Sequence, residues 1–373
     1  MAAAYIVNYL RTPFAPAYRG ALASVRPDDL AASVIRDLVA VSGIDPAEIE
    51  DVILGCAFPE GEQGLNIARC AALTAGLPQS VGGSTVNRWC GSSLQAVQMA
   101  AGAIAMGAGD AFIAGGIECM SRVPIMGFNT LPNPSWSGEQ RLAFLNMGLT
   151  AENLADRYHI SRDAQDAYAL ESQKKALAAR ADGRLAAEIT PFGEVAQDGC
   201  PRETDSEKLG GLKTVFKANG SVTAGNSSPL TDGASALLVC SEDFVKRHGL
   251  KPLARVSGYA VSGCAPEIMG IGPVEASRKA LKRAGIALKN LDAIEMNEAF
   301  AAQVLSCCQE LGIDPAKLNR DGGAIALGHP LGATGGRLVG KVSSVLKQDG
   351  GRYGLATQCI GGGQGIAMVL EAA

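Results

Sequence analysis

Two cysteines and one histidine lie in segments where their chemistry would suit acyl transfer. Cys90 stands in Val86-Asn-Arg-Trp-Cys90-Gly-Ser-Ser, where a turn is predicted to open into a helix. The unpaired N–H groups of a helix N-terminus favour a thiolate over a thiol, so we expect a lowered pKa for Cys90. A small buried cysteine would have the same local sequence. This segment alone leaves both interpretations open.

His329 is the candidate general base. It lies within Gly322–Gly336, a segment whose many glycines let the backbone approach a ligand or another part of the chain closely. His159 and His248 have polar neighbours instead, a pattern typical of solvated surface histidines. The sequence therefore assigns proton transfer to His329.

A second cysteine and an asparagine complete the candidate set. Cys359 precedes Gly361-Gly-Gly363, whose backbone amides could bind an oxyanion. A buried cysteine beside a flexible turn would read the same way. Asn297 follows a short predicted strand and could hold a carbonyl oxygen, although it could equally cap the next helix.

The elements that would position these residues alternate along the chain. Residues 51–55 and 110–116 are short apolar runs bounded by Gly or Asp, which predicts buried strands. Leu94, Val97 and Ile104 recur between them at helical spacing. This alternation predicts an α/β fold with helix-covered sheets.

The chain also repeats itself weakly. The segment that begins at Asp51 resembles the one at Asp292, and Asn87-Arg88 resembles Asn319-Arg320. Residues 111–116 similarly resemble residues 354–362. The offsets are close to one another, which favours a duplicated α/β half.

A loop-rich region separates the two halves. It contains prolines and polar loops around one clear helix, predicted from the N-cap Ser161 to about Ala181. Insertions of this kind usually carry binding function. We therefore predict a first half over residues 1–120 and 220–255, an insertion over 121–219, and a second half over 256–373.

Composition argues against several classes of partner. The 373 residues carry a formal net charge of -4, which leaves no overall basic surface for nucleic acid. The sequence has ten cysteines without a C-x-x-C pair and only three histidines, so we expect no metal site. The first residues carry no basic segment before an apolar run, so we expect no leader sequence, and no apolar run reaches the length at which a membrane span would be expected. We therefore expect a cytoplasmic, reducing location.

Taken together, these segments resemble the thiolase family over nearly the whole chain. Two positions depart from its usual pattern: Ser93 stands where Gly is common, and Asn146 stands where acetoacetyl-CoA-forming members place His. The matching segments are Arg11-Thr12-Pro13, Val86–Ser93, Met147–Glu152, Thr223–Ser228, Asn297–Phe300, Gly328–Gly335 and Cys359–Gly365.

The resemblance implies a fold and a set of roles. The fold would be α/β, with two similar halves stacked as five layers (αβαβα) and the insertion covering the active site. Cys90 would be the acylated nucleophile, His329 would activate it, and Cys359 would move the proton at the α-carbon or on the departing group. Asn297 and His329 would form one oxyanion hole through a water. The amides of Cys90 and Gly361 would form the other.

The resemblance also implies substrate contacts and partners. Ser228 and Met147 would contact the pantetheine of coenzyme A, while Ala299 and Phe300 would line the acyl site. Basic residues such as Arg202 would hold the rest of coenzyme A, which is a substrate, so no cofactor is expected. The partners would be CoA and acyl-CoA thioesters, and the chain would form a homo-oligomer, either a dimer or a dimer of dimers.

The reaction favoured is thiolysis of 3-ketoacyl-CoA to acetyl-CoA and a shortened acyl-CoA. Leu131-Pro-Asn-Pro134 resembles the degradative, broad-chain branch of the family, and Asn146 departs from the biosynthetic one. Acetoacetyl-CoA synthesis remains the alternative within the family. Two further alternatives are a ketoacyl condensing enzyme acting on carrier-bound acyl groups and a non-catalytic acyl-CoA or lipid-binding relative.

Overall fold

Ten strands and eleven helices are found in residues 2–373, the part of the chain described by this computed structural model. The strands are β1 Ala4–Arg11, β2 Ala15–Pro16, β3 Asp51–Gly55, β4 Gly82–Val86, β5 Ala111–Cys119, β6 Thr231–Ser241, β7 Ala254–Gly263, β8 Ala293–Met296, β9 Tyr353–Ile360 and β10 Gln364–Ala372. The helices are α1 Pro27–Ser42, α2 Ile67–Thr74, α3 Ser92–Ala105, α4 Met147–Tyr158, α5 Arg162–Ala181, α6 Ser206–Gly210, α7 Glu242–Arg247, α8 Gly272–Ala284, α9 Ala301–Leu311, α10 Ala324–Leu327 and α11 Leu331–Asp349.

The strands form two half-sheets of matching topology. Their order is β4-β3-β5-β6-β1-β7-β10-β9-β8, and the halves meet where β1 pairs with β7 through only two residue pairs. In the first half β4, β3 and β5 are parallel, and β6 is antiparallel to both β5 and β1. In the second half β8 and β9 are parallel, and β10 is antiparallel to both β9 and β7. A parallel bridge from Ile294 to Leu318 stands where β4 stands in the first half.

Helices cover these half-sheets in five layers. Leu30 and Ile35 of α1 pack with α2 on the outer face of the first half-sheet. Residues of α3 and α11, among them Val97 and Val342, form a central core between the two half-sheets. Val304 of α9 packs with α8 on the outer face of the second half-sheet. The predicted five-layer α/β fold is therefore confirmed, while the sequence-based domain boundaries stay predictions.

The insertion contains more helix than the sequence indicated. Only the helix after Ser161 was predicted, and the structure has it as α5 with Ser161 as its N-cap. The structure adds α4 and α6, which the sequence pattern did not predict. Helix α4 starts at the N-cap Asn146, whose side chain accepts the N–H of Gly148. A glycine, a threonine and polar residues in α4 weakened its apolar periodicity, which is why the pattern was missed.

A buried ionic network fastens the insertion to both halves. Arg11 at the end of β1 donates to Asp198 through two hydrogen bonds of 2.6 and 2.7 Å and to Glu188 at 2.7 Å. Lys341 of α11 reaches Glu188 at 2.6 Å and Asp321 at 3.1 Å. Removing one member would leave a buried charge uncompensated, so the network specifies how the insertion docks. Within residues 2–373 no helix is both long and apolar enough to cross a membrane.

Candidate active site

Cys90 lies in a short turn, Trp89–Gly91, between β4 and α3. Trp89 has a φ of +42°, a conformation that costs a non-glycine residue energy and must be held by its surroundings. Its N–H donates to Asn87 Oδ1 at 2.9 Å, and Ser92 Oγ donates to its carbonyl at 2.6 Å. Both bonds lie within the motif, so the local sequence itself stabilises the turn that presents the cysteine.

The surroundings of Cys90 come from the turn between β9 and β10. The backbone N–H of Gly361 interacts with the Cys90 thiol, and Gln358 Nε2 donates to the Cys90 carbonyl. Burial raises the pKa of the Cys90 thiol to about 11, although the N–H groups of Gly361 and Cys90 act in the opposite direction. The predicted lowering of this pKa is therefore wrong. The helix end is present, but desolvation outweighs it in the resting protein.

The Gly361–Gly363 turn is clamped on both sides. Gly362 has a φ of +74°, which favours glycine. A Cβ on Gly361 would lie 3.0 Å from the Trp89 ring and 3.6 Å from the Met147 sulfur, so the turn is held between the indole and the thioether. Arg88 adds a hydrogen bond to Gln364 at 3.0 Å. Sequence reasoning missed Trp89, whose only signal was a bulky aromatic residue next to the nucleophile.

His329 is buried and fixed in one tautomer. Its Nδ1 lies 2.6 Å from Thr334 Oγ1, and that hydroxyl donates its only proton to the Pro330 carbonyl at 2.9 Å. Nδ1 must therefore carry the proton, which leaves the Nε2 lone pair available as a base. Burial, with a contribution from the Arg337 charge, lowers the pKa of His329 to about 3, so the imidazole is neutral at pH 7.

Asn297 is paired with that same nitrogen. Asn297 Nδ2 lies 3.2 Å from His329 Nε2, and the Asn297 backbone N–H donates to Thr357 of β9 at 3.0 Å. Helix α9 starts at the N-cap Phe300 without a side-chain cap, so the alternative role of Asn297 as a helix cap is excluded. Its Oδ1 is buried and has no hydrogen-bond partner within residues 2–373.

Cys359 joins the site to an apolar group of side chains, which we name the Cys359 cluster. The Cys359 side chain is buried. The pKa of its thiol is raised well above the usual value, chiefly by burial and secondarily by the neighbouring Cys90. The cluster adjoins the Cys90 turn, because a Cβ on Gly361 would touch both the Trp89 ring and the sulfur of Met147. Its buried members are Ala151, Val222, Met269, Ala299, Phe300 and Cys359, with Met147 and Phe216 packed against them.

Four of the five residues predicted to bind substrate meet at this cluster. Met147, Ala299 and Phe300 belong to it, and Ser228 is attached because its N–H and its hydroxyl both donate to the Ala299 carbonyl, at 3.0 and 3.2 Å. Arg202 does not join them. Its side chain is exposed, and its backbone N–H donates to Gln173 of α5 at 2.9 Å.

The starts of α3 and α11 touch, which brings the Cys90 and His329 segments together. A Cβ on Gly335 would lie 2.4 Å from the Leu94 backbone nitrogen, so only glycine permits this approach. Ser93, the residue that departs from the usual glycine, is fully buried, and its hydroxyl accepts the Gly336 N–H at 2.8 Å. The serine at position 93 therefore adds a hydrogen bond between the two halves, and the contact between them is preserved.

Two buried carboxylates that the sequence reasoning missed hold the framework. Glu118, at the end of β5, accepts the N–H groups of Ala57 and Gly332 at 2.8 Å each, so it ties the first half to the start of α11. Glu298, next to Asn297, accepts from Ser172 at 2.7 Å and from Asn319 at 2.7 Å. The signal for Glu118 was an acidic residue ending an otherwise apolar strand.

This arrangement suits covalent acyl transfer. A thiol lies against a backbone N–H that could stabilise an oxyanion, with a second thiol beside it, and a neutral imidazole presents Nε2 next to an amide. Within residues 2–373 no group of three or more His, Cys, Asp or Glu side chains is arranged to hold a metal ion.

Comparisons with known proteins cover the chain from end to end. A family model described as "Thiolase, N-terminal domain" matches residues 4–243, and one described as "Thiolase, C-terminal domain" matches residues 250–372. Both therefore contain residues of the candidate site.

Three relatives illustrate the similarity. The chain is 47% identical to a 3-oxoadipyl-CoA/3-oxo-5,6-dehydrosuberyl-CoA thiolase of Escherichia coli (strain K12), over 100% of both chains. It is 44% identical to a 3-ketoacyl-CoA thiolase of Bacillus subtilis (strain 168), again over 100% of both chains. Its fold matches the crystal structure of human mitochondrial 3-ketoacyl-CoA thiolase in complex with CoA, with a TM-score of 0.93 and 38% identity over 100% of this chain and 98% of that one.

Proposed function

The chain belongs to the thiolase family of acyltransferases, and we propose that it cleaves 3-ketoacyl-CoA with coenzyme A to give acetyl-CoA and a shortened acyl-CoA. The observation that carries this proposal is the packing of the Cys90 turn against the end of β9, where Gln358 Nε2 donates to the Cys90 carbonyl and Trp89 lies against Gly361. The pairing of His329 Nε2 with Asn297 supports it.

In the first half-reaction, the Cys90 sulfur attacks the C3 keto carbon while His329 Nε2 takes the thiol proton. The C2–C3 bond then breaks, and its electron pair moves onto the thioester fragment as an enolate. Cys359 gives its S–H proton to C2 of that enolate, which releases acetyl-CoA. The remaining acyl group stays on Cys90 as a thioester, and Cys359 is left as a thiolate.

In the second half-reaction, the Cys359 thiolate takes the proton from the thiol of an incoming coenzyme A. The CoA sulfur attacks the acyl carbon on Cys90, and the S–C bond to Cys90 breaks. Cys90 then recovers its proton from His329. Both cysteines and the histidine end in their starting protonation states, so no further reactant is needed.

Each oxyanion would have its own pair of donors. The N–H groups of Cys90 and Gly361 would stabilise the oxygen of the tetrahedral intermediate on Cys90, and Asn297 with His329 would hold the thioester oxygen through a water. A well-aimed donor of this kind contributes about 3 kcal/mol to the transition state. The unpartnered Asn297 Oδ1 supports a water at this position, since it is a buried acceptor without a protein donor.

The Cys359 cluster would hold the substrate. Met147 and Ser228 would contact the pantetheine, and Ala299 and Phe300 would line the acyl site. The exposed Arg202 would meet the charged end of coenzyme A. Coenzyme A is a substrate and no cofactor takes part in the proposed reaction, and we further propose a homo-oligomeric state, as a dimer or a dimer of dimers. A cytoplasmic location is also part of the proposal because all ten cysteines are free thiols, as a reducing compartment would keep them.

Degradation is preferred over acetoacetyl-CoA synthesis. Relatives at 44–47% identity are named for 3-ketoacyl-CoA and 3-oxoadipyl-CoA substrates, and Asn146 serves here as the N-cap of α4. The test is to incubate the purified protein and coenzyme A with 3-ketoacyl-CoA substrates of four to twelve carbons. We expect turnover beyond the four-carbon substrate. Activity confined to acetoacetyl-CoA would assign synthesis instead, and no activity on any substrate would reject the proposal.

A further inference from the structure

Gln358 is a polar side chain on an apolar face of β9. Its neighbours on that face, Ala356 and Ile360, belong to the central core, and Gln358 itself is fully buried. The transfer of an amide from water into such a core is unfavourable unless new hydrogen bonds replace those to water. The partner of this amide therefore indicates why the strand carries a glutamine.

Within residues 2–373 the Gln358 side chain makes one hydrogen bond, and that bond goes to the backbone of the proposed nucleophile. Gln358 Nε2 donates to the carbonyl of Cys90. Because a carbonyl oxygen can only accept, the amide must turn its nitrogen towards Cys90. The amide oxygen Oε1 is then left buried without a hydrogen-bond partner in the same residues. Cys90 thus fixes the orientation of the side chain, and the other polar atom stays unsatisfied.

The Cys90 carbonyl lies outside the hydrogen-bond ladder of α3. The N-cap of that helix is Gly91, so the carbonyl of Cys90 precedes the first one that the helix uses. The two hydrogen bonds of Trp89 within the motif hold the shape of the turn. The Gln358 amide has a different effect, because it attaches the turn to a strand of the second half.

Three consecutive residues of β9 take part in the site. The Thr357 carbonyl accepts the Asn297 N–H at 3.0 Å. The Gln358 amide holds the Cys90 carbonyl, and Cys359 carries the second thiol. The strand therefore sets where the Cys90 turn lies relative to Asn297 and Cys359, and it does so through the Gln358 side chain.

We propose that Gln358 is a positioning residue for the acylation of Cys90: its amide holds the Cys90 backbone on β9, so that the sulfur is aimed at the substrate carbonyl. The inference rests on the proposed function and adds a residue to the same site. A displacement of about 1 Å can lower a rate by about 100-fold, because the reacting atoms must lie about 3 Å apart and in line. Gln358 itself neither touches the substrate nor takes a proton.

The test is Gln358→Met, which replaces the amide by an apolar side chain of similar length. The reporter is an aryl acetyl thioester: the Cys90 sulfur takes the acetyl group, the aryl thiolate leaves, and His329 takes the thiol proton. We expect the rate of this acylation and kcat for thiolysis of 3-ketohexanoyl-CoA to fall together, by roughly 10- to 100-fold. KM should stay within about twofold of the wild type, because the substrate contacts are unchanged.

A merely structural role would give a different pattern. The variant removes the unpartnered Oε1 of Gln358 while it unpairs the Cys90 carbonyl, so the number of unsatisfied acceptors does not change. We therefore expect the melting temperature to stay within about 3 °C of the wild type. A lower melting temperature with an unchanged acylation rate would assign Gln358 to stability and overturn the inference. A loss confined to carbon–carbon cleavage would also overturn it, since that would place the effect at Cys359.

Gln303→Met is the matched control. Gln303 is also fully buried and also has an unpartnered Oε1, but within residues 2–373 its one hydrogen bond goes to Cys307 on the same helix. The acylation rate of this variant should stay within about twofold of the wild type. A loss equal to that of Gln358→Met would show that any buried glutamine has this effect, which would overturn the inference.

Gln358→Leu supplies a second apolar variant, with folding verified by circular dichroism. It should show the same loss of acylation, because the donor to the Cys90 carbonyl is again missing; a normal rate in the folded protein would contradict the role of Gln358. A wild type that acylates Cys90 but cleaves no 3-ketoacyl-CoA would instead reject the proposed function, and the acylation rates would still decide the role of Gln358.

Discussion

The two halves share a strand pattern but connect their last two strands in opposite ways. In the first half, residues 120–230 separate β5 from β6, whereas in the second half the three residues Gly361–Gly363 join β9 to β10. The long connection supplies α4 and the segment that carries Phe216 and Val222 to the Cys359 cluster. The short one presents a rigid N–H group to Cys90.

The same position in each half also carries a different reactive residue. Cys90 precedes α3 in the first half, and His329 precedes α11 in the second half. Because the starts of these two helices are in contact, the proposed nucleophile and the proposed base lie in segments that meet at one interface. In the proposed mechanism the first half therefore supplies the nucleophile, and the second half supplies proton transfer.

Removal of the proposed base, His329, should have the largest effect on activity. In His329→Ala we expect kcat for thiolysis to fall by about 1,000-fold, since the Cys90 thiol loses the imidazole that is proposed to take its proton. Steady-state kinetics with 3-ketohexanoyl-CoA measures this. His159→Ala is the matched control, because His159 is exposed at the C-cap of α4 and should leave kcat within twofold of the wild type. A near-normal kcat in His329→Ala would contradict the assignment of His329 as the general base.

Cys359→Ala separates cleavage from acylation. We expect carbon–carbon cleavage to slow by about 100-fold or more, because the enolate loses its proton donor. An activated aryl thioester, whose leaving thiolate needs no proton, should still acylate Cys90 at a rate within a few-fold of the wild type. Stopped-flow assays of the two substrates measure the difference, and Cys70→Ala, a half-buried thiol on α2, serves as control. Equal losses in both assays would remove the proposed role of Cys359.

Glu118→Gln weakens the link between the halves. Both carboxylate oxygens of Glu118 accept N–H groups, so in either orientation the new amide N–H₂ would face a donor, and we expect the free energy of unfolding to fall by about 2 kcal/mol. Urea titration followed by circular dichroism measures this quantity. Glu62→Gln, which alters a more exposed ion pair with Arg122, should change it by less than about 1 kcal/mol. Similar losses in both variants would argue against Glu118 as a joint.

Trp89→Leu loosens the clamp on the Gly361 turn. We expect kcat to fall by roughly tenfold with KM nearly unchanged, because the oxyanion donor loses its fixed position while the Cys359 cluster is intact. Trp89→Phe should restore most of the loss, and Trp136→Phe, the other tryptophan, should have no effect. A change confined to KM would assign Trp89 to substrate binding instead.

The smallest expected effect concerns pH. With a pKa of about 11 for the Cys90 thiol and about 3 for His329, neither group changes its charge between pH 6 and 9. The rate of acylation by the aryl thioester should therefore vary by less than about twofold in that range, falling only as His329 is protonated at low pH. A step centred near pH 6.5, the ordinary pKa of a histidine, would show that His329 is solvated.

Much of this picture was accessible from sequence because glycine patterns and motif order report on backbone geometry. Cys90, His329, Asn297 and Cys359 each stood beside glycines or at the end of a predicted strand, which marked them as candidates. Their mutual placement came from the resemblance to a family. Helix α4 was not predicted because its apolar periodicity is weak.

The sequence could not reveal the balance of desolvation against hydrogen bonding. The lowered pKa predicted for Cys90 considered the helix end and omitted the desolvation of the thiol by the folded chain around it. Glu118 escaped for a related reason. Its partner Gly332 lies 214 residues away in the sequence, so no local pattern predicts the contact.

Mass spectrometry of the acylated protein tests the central claim most directly. The wild type, Cys90→Ala and Cys359→Ala proteins would each be mixed with the aryl acetyl thioester, acid-quenched and digested. The proposed division of labour predicts one acetyl group on the Cys90 peptide of the wild type and of Cys359→Ala, and none in Cys90→Ala. An acetyl group on Cys359 in the wild type, or unchanged labelling of Cys90→Ala, would contradict it.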